Sequence, residues 1–301
     1  MGGSRQAMKL QLILALAALA GTSMAGCSAS EPTPDVMATF YPLAFLAQQI
    51  GGGNVTVGSI VKDGVEPHDY EPTPADVNAI TDARLVVLQG AGFESWIGNV
   101  HMHASVRATA GLDLRENPSE DERASLPNDP HTWMDPPMYA RMARNVEDAM
   151  VQVFPEKAAG LHARAAALVA RIDALDGEFR SGLAHCSKNA IITGHAAFGY
   201  MARDYGFEQI AISGLDPESE PDSATINHVI DEARARNITV IFFEDQVNPA
   251  LVNTIANEVH AETRILSPIE AIPAGKLAAG ADYITVQHEN LANLRHAMQC
   301  A

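Results

Sequence analysis

Residues 155–183 read PEKAAGLHARAAALVARIDALDGEFRSGL, and this stretch decides the fold. It has no internal proline, is rich in Ala, Leu, Arg and Glu, and sets Leu161, Ala165, Leu168, Ile172 and Leu175 at helical spacing. Pro155 suits a first helical position, where its missing N–H is no loss. The spacing predicts one helix over 155–184, long for a globular protein and able to span much of the molecule.

What lies on either side says what the helix joins. Upstream, short β-rich runs at 36–40, 55–61 and 85–88 alternate with helical segments at 42–51 and 74–83. Downstream, runs at 190–193, 209–212, 239–243 and 263–266 alternate with amphipathic stretches at 197–205, 223–236 and 249–260. Such alternation argues parallel sheets with crossover helices. The expected fold is α/β, with two lobes each built on a mainly parallel sheet flanked by helices. One long rigid helix bridges them. The N-terminal lobe is expected over 35–154, the linking helix over 155–184 and the C-terminal lobe over 185–301. A continuous helix resists bending, so the lobes are expected to move little against each other. No repeat of solenoid length and no low-complexity block is visible.

The N-terminus reads as an export signal over 1–26: Arg5 and Lys9, an apolar run over 10–20, then small residues up to Met24-Ala25-Gly26-Cys27. The run is broken by Gly21 and Thr22 and falls short of the roughly 18–20 residues that a spanning helix needs. The four residues ending at Cys27 look like a lipobox, with Met in place of the more usual Leu. Two readings stay open, acylation of Cys27 or an ordinary cleaved signal. Residues 27–34 serve as a tether in either case. The mature chain is expected outside the cytoplasmic membrane, periplasmic or lipid-anchored. Export removes two basic residues and no acid from a chain whose formal charge is already −17. Such a surface repels nucleic acid and anionic lipid, so neither is expected as a partner.

Three cysteines are present. If Cys27 is lipidated, Cys186 and Cys300 remain as an even pair in an oxidising compartment. A bridge between them would pin the C-terminal helix to its own lobe; the alternative is two separate buried thiols.

Three histidines each stand just beyond a short apolar run and beside Pro, Gly or Asp. His68 lies in Glu66-Pro67-His68-Asp69-Tyr70-Glu71, after the run at 55–61. His131 lies in Asp129-Pro130-His131-Thr132-Trp133-Met134-Asp135-Pro136, a stiff segment in which Asp129 or Asp135 could accept the second ring N–H. His195 lies in Thr193-Gly194-His195-Ala196-Ala197-Phe198-Gly199-Tyr200, at a strand-to-helix junction. In open α/β sheets, ligands collect outside the carboxyl ends of strands, where all three belong. Taken singly, each also reads as an ordinary loop or turn histidine. Asp282, in Gly280-Ala281-Asp282-Tyr283, carries no weight without them. Glu244 follows the run at 239–243 and points to the same crevice, where it orients a ligand imidazole, replaces a ligand or is surface charge.

Taken together, these motifs resemble the metal-binding solute-binding proteins of bacterial ABC importers, the cluster that carries zinc and manganese and folds as two lobes bridged by one long helix. The resemblance covers essentially all of residues 35–300. It implies that His68 and His131 bind a metal from the first lobe and His195 and Asp282 from the second. It also implies an ABC permease as partner. The third position is Glu in manganese relatives and His in zinc ones, and here it is His195. Three neutral imidazoles and one carboxylate suit tetrahedral Zn(II) better than Mn(II).

The chain departs from many zinc relatives in lacking a long His- and acid-rich loop between the first two ligands. It keeps His101-Met102-His103 and an acidic stretch over 116–129. This segment is expected to open beside the site, where His101 and His103 help capture zinc or receive it from a metallochaperone. A solvated loop is the bland alternative. Glu66, Asp135 and Glu244 are the candidates for supporting roles around the ligands.

The leading function is a monomeric, exported zinc receptor delivering Zn(II) to an ABC permease. An exported metallochaperone or adhesin is the alternative from the interaction class. A zinc hydrolase is the less favoured rival, since it needs an open coordination position and a general base.

Overall fold

The computed structural model describes residues 33–68, 70–244 and 247–301. The export signal over 1–26, Cys27 and the tether up to residue 32 lie outside the described residues, and so does Asp69.

Two four-stranded parallel sheets form the frame. The first holds β1 (Val36–Ala38), β2 (Val57–Ser59), β3 (Leu85–Leu88) and β4 (Ser105–Arg107) in the order β2-β1-β3-β4. The second holds β5 (Ala190–Thr193), β6 (Glu208–Ala211), β7 (Val240–Phe243) and β8 (Glu262–Ile265) in the order β6-β5-β7-β8. Both sheets run second-first-third-fourth. In each, the chain reverses direction of travel between its first and third strands, which is where an open α/β sheet makes a crevice at its carboxyl edge.

The helices are α1 (Tyr41–Gly51), α2 (Pro74–Asp82), α3 (Pro136–Val153), α4 (Ala158–Leu183), α5 (Gly199–Tyr205), α6 (Ser223–Ala235), α7 (Ala250–Val259), α8 (Ala274–Ala278) and α9 (Tyr283–Met298). The long helix α4 follows one 3-10 turn over Pro155–Lys157. Its face of Leu161, Ala165, Leu168, Ile172, Leu175 and Phe179 is buried. That face packs on α1 and α3 of the first lobe and on α5 and α9 of the second. Each large apolar side chain so buried contributes about 1.5–3 kcal/mol. One apolar cluster runs from Val36 through α4 to Met298, so the two sheets share a core.

Two elements differ from the sequence expectation. Strand β4 alternates exposed and half-buried residues on a sheet edge, so its Ser-Val-Arg carries almost no apolar signal. Helix α3 begins at Pro136-Pro137, a pair that reads as a stiff turn, yet both prolines fit a first helical turn. The Asp135 carboxylate accepts from Met138 N at 3.2 Å and caps the start. Met138, Met142, Val146 and Met150 then bury one face.

A disulfide joins Cys186, just before β5, to Cys300, just after α9. It ties the last helix to the amino end of the second sheet.

Candidate metal centre

Four strand ends supply the centre. His68 sits in the loop after β2, His131 in the segment after β4, His195 directly after β5, and Glu270 in the loop after β8. The loop carrying Glu270 is Ser267-Pro268-Ile269-Glu270-Ala271-Ile272-Pro273, and Trp133 Nε1 donates to Pro268 O across the lobes at 2.7 Å. Ile269 is held at φ 57°, a left-handed conformation that a β-branched residue adopts only under constraint. Such strain gathers at functional sites, and here it turns the next residue, Glu270, inward.

Glu270 Oε1 lies 3.2 Å from His68 Nε2, 3.2 Å from His131 Nε2 and 3.5 Å from His195 Nε2. The Nε2 atoms of His131 and His195 are 3.4 Å apart. Donors placed at zinc bond lengths of about 2.0–2.1 Å in a tetrahedron stand about 3.3–3.4 Å from one another. The observed edges match that spacing. Among the described residues this is the one group of three or more His, Cys, Asp or Glu gathered closely enough to hold a metal.

Each of two imidazoles is oriented from behind by a carboxylate. Asp129 Oδ1 lies 3.0 Å from His131 Nδ1 and also accepts the His131 backbone N–H. Glu244 Oε1 lies 2.6 Å from His195 Nδ1. A Cβ at Gly194 would stand 2.9 Å from that same oxygen, so glycine there leaves room for the carboxylate. His68 is steadied differently, with its backbone N–H on Glu66 Oε1 at 2.8 Å and its ring edge-on to Phe93. A partner on Nδ1 fixes the tautomer that leaves Nε2 free to bind metal.

The electrostatics follow from burial of three bases among acids. Burial opposes the charged form of His195, but Glu244 and Glu270 overcome it and hold the imidazole well above the usual histidine range. His131 is raised in the same way, with burial outweighed by Asp129 and Glu270. Burial would raise Glu270, yet His68, His131 and His195 hold it well below the ordinary carboxylate range. Burial and the Glu270 charge push Glu66 up to about 8.

Four of the expected residues lie elsewhere: Asp282, Asp135, His101 and His103. Asp282 is not in the cluster. It caps α9, accepting from Thr285 N at 2.9 Å, and pairs with Arg171 Nη2 at 3.2 Å. Burial would raise its pKa, but the Thr285 and Arg171 contacts hold it below the usual range. Asp135 caps α3 rather than supporting His131, and Asp129 takes that role. His101 and His103 precede β4 and so lie at the amino edge of the first sheet, away from the carboxyl edge where the cluster forms. Their rings contact each other at 5.6 Å on an exposed turn. The segment over 101–129 is no single loop, because β4 passes through it. Glu270 was missed, although it follows β8 between two prolines and obeys the strand-end rule that found the histidines.

A family described as zinc-uptake complex component A, periplasmic (ZnuA) matches residues 36–297. The chain belongs to the ZnuA family. It is 30% identical over 302 residues to the zinc-binding lipoprotein AdcA of Streptococcus pneumoniae, covering 95% of this chain and 60% of that protein. It is also 30% identical over 300 residues to the high-affinity zinc uptake system protein ZnuA of Bacillus subtilis, covering 95% of this chain and 94% of that one. The chain therefore spans about 60% of the length of the streptococcal relative and nearly all of the Bacillus ZnuA. Among solved structures, the Zn(II)-bound ZnuA-like domain of S. pneumoniae AdcA superposes with a TM-score of 0.77 at 30% identity, over 89% of this chain and 99% of that domain. The ZnuA-family fold thus accounts for the two parallel sheets. Among the described residues, no helix is long and apolar enough to cross a membrane.

Proposed function

We propose that the chain is an extracytoplasmic receptor that holds Zn(II) between its lobes and passes it to an ABC permease for import. His68, His131, His195 and Glu270 are the ligands in this reading. One observation carries it: three imidazole nitrogens converge on one carboxylate oxygen at edges of 3.2, 3.2 and 3.5 Å. Zinc is cargo here. The donor set fits it, since borderline-soft nitrogens with one oxygen favour zinc over manganese. The zinc-uptake relative of Bacillus subtilis and the zinc-binding relative of Streptococcus pneumoniae support the same ion.

Four protein ligands close a tetrahedral shell, which favours holding over catalysis. In this reading the chain is a monomeric carrier that a metallochaperone loads or that captures free ion.

The test is elemental analysis of protein purified without added metal, with competition between Zn(II) and Mn(II), alongside growth of a deletion strain. Stoichiometric zinc and a growth defect in zinc-poor medium cured by zinc are the expected results. Preferential manganese binding, or normal growth without zinc, would overturn the reading.

A further inference from the structure

The acidic segment between Arg115 and Asp129 leaves the first lobe, and its two ends are pinned together. Asp129 N donates to Arg115 O at 2.9 Å, and Glu116 pairs with Asn128 in an antiparallel bridge. Two glycines of the second lobe then receive its side chains. A Cβ at Gly199, the first residue of α5, would overlap the Arg115 guanidinium. A Cβ at Gly214 would likewise overlap Glu122, whose Oε2 accepts from Leu215 N at 3.0 Å. The segment is therefore a strap laid from one lobe into fitted notches on the other.

Arg115 is the part of the strap that reaches the metal centre. Its Nη1 donates to Asp129 Oδ2 at 2.9 Å, while Asp129 Oδ1 serves His131. Asp129 and His131 have no solvent exposure. Tyr200 completes the arrangement from the second lobe: its hydroxyl donates to Asp129 O at 2.7 Å and accepts from Arg115 N at 2.9 Å. The guanidinium lies 5.6 Å from the Tyr200 ring centroid, in reach of a cation–π contact.

We infer that Arg115 is a positioning residue for zinc, holding Asp129 so that His131 presents Nε2 to the ion only when the lobes are docked. The inference rests on the zinc-receptor reading above. Asp129 has two oxygens, and only one can orient His131. Without Arg115 the other is a buried anionic oxygen with its ionic partner gone, and the carboxylate turns to find another donor. That turn releases the His131 ring. With zinc in place, the two charges of the ion and that of Arg115 balance Glu270, Asp129 and Glu244. Because the notch at Gly199 and the hydroxyl of Tyr200 belong to the second lobe, lobe docking and His131 orientation become one event.

The test uses the full mature chain with Arg115→Ala, Arg115→Lys and Gly199→Ala. Zinc affinity is read by competition with a chromophoric chelator, and ligand geometry by the visible spectrum of the Co(II)-substituted protein. Arg115→Ala is expected to weaken zinc about 10- to 100-fold, the range for loss of an outer-shell partner, and to perturb the cobalt bands. Arg115→Lys should recover part of the affinity. Gly199→Ala, which fills the notch and displaces the guanidinium without removing a charge, should reproduce the Arg115→Ala spectrum. If Arg115→Ala misfolds, the lysine and Gly199 variants decide. Wild-type affinity and an unchanged cobalt spectrum in the folded variants would overturn the inference while leaving the receptor reading intact. Failure of the wild-type protein to bind zinc would instead overturn that reading.

Discussion

Oε1 of Glu244 lies 2.6 Å from Nδ1 of His195, on the opposite side of the ring from the nitrogen that faces Glu270. A carboxylate behind an imidazole raises its basicity as a ligand and fixes its tautomer. Glu244→Gln keeps the shape and removes the charge. Zinc affinity, measured by chelator competition, is expected to fall about 10- to 100-fold. Loss of the ligand itself in His195→Ala should lower it further. An equal loss in the two variants would contradict the supporting role given to Glu244.

Glu270 and Asp282 separate cleanly by mutation. Glu270→Gln removes the only anionic donor of the cluster and should weaken zinc severely in calorimetry. Asp282→Ala should leave zinc binding near wild type and lower unfolding free energy by about 0.5–2 kcal/mol, the usual effect of losing a helix N-cap. A zinc defect in Asp282→Ala without a stability defect would reverse the assignment.

The reason Asp282 misleads and Glu270 hides is physical. Asp282 stands three residues before Thr285, and the two form a reciprocal cap at the start of α9. The Asp-x-x-Thr pattern is local and legible, so a helix cap was readable from these residues alone. Glu270 has no local partner pattern. Its inward turn depends on Ile269 at positive φ and on Trp133 holding Pro268 from the other lobe, neither of which leaves a trace in sequence spacing. His195 and Glu244 were legible because each follows an apolar strand directly, whereas His68 and His131 were legible only through the proline-bearing motifs around them. Strand order and the shared core were not, since they arise from crossovers and from α4 packing on both lobes. Strand β4 escaped because an edge strand with one half-buried residue has no periodic signal.

Proton competition sets the pH response. His131 and His195 have raised pKa values in the metal-free fold, so their contribution to stability is full below the unfolded value of about 6.5 and is lost as pH rises through the raised values. Glu270 is depressed, so its contribution is present above about 4.3 and is lost as pH falls. The cluster therefore stabilises the metal-free protein best between about pH 4.3 and 6.5. Zinc requires neutral imidazoles, so the rise in Tm on adding zinc should be larger at pH 8 than at pH 6 by differential scanning calorimetry. An equal rise at the two pH values would count against the histidine ligands.

The disulfide should act on stability alone. Cys186 precedes β5 at its amino end, whereas His195 follows the same strand at its carboxyl end. Replacing Cys186 and Cys300 with Ser is expected to lower unfolding free energy by about 2–5 kcal/mol in denaturant titrations. Zinc affinity should stay within about threefold of wild type, as expected for sites with no shared partner. A larger zinc defect would show that the bridge shapes the metal centre.

Of the four clustered side chains, His131 and His195 are sealed from solvent, while His68 and Glu270 keep side-chain exposures of 6% and 5%. Whatever approaches the centre from outside therefore meets one imidazole and the carboxylate together, one from each lobe, and an exchange that begins at that edge loosens both halves of the site at once.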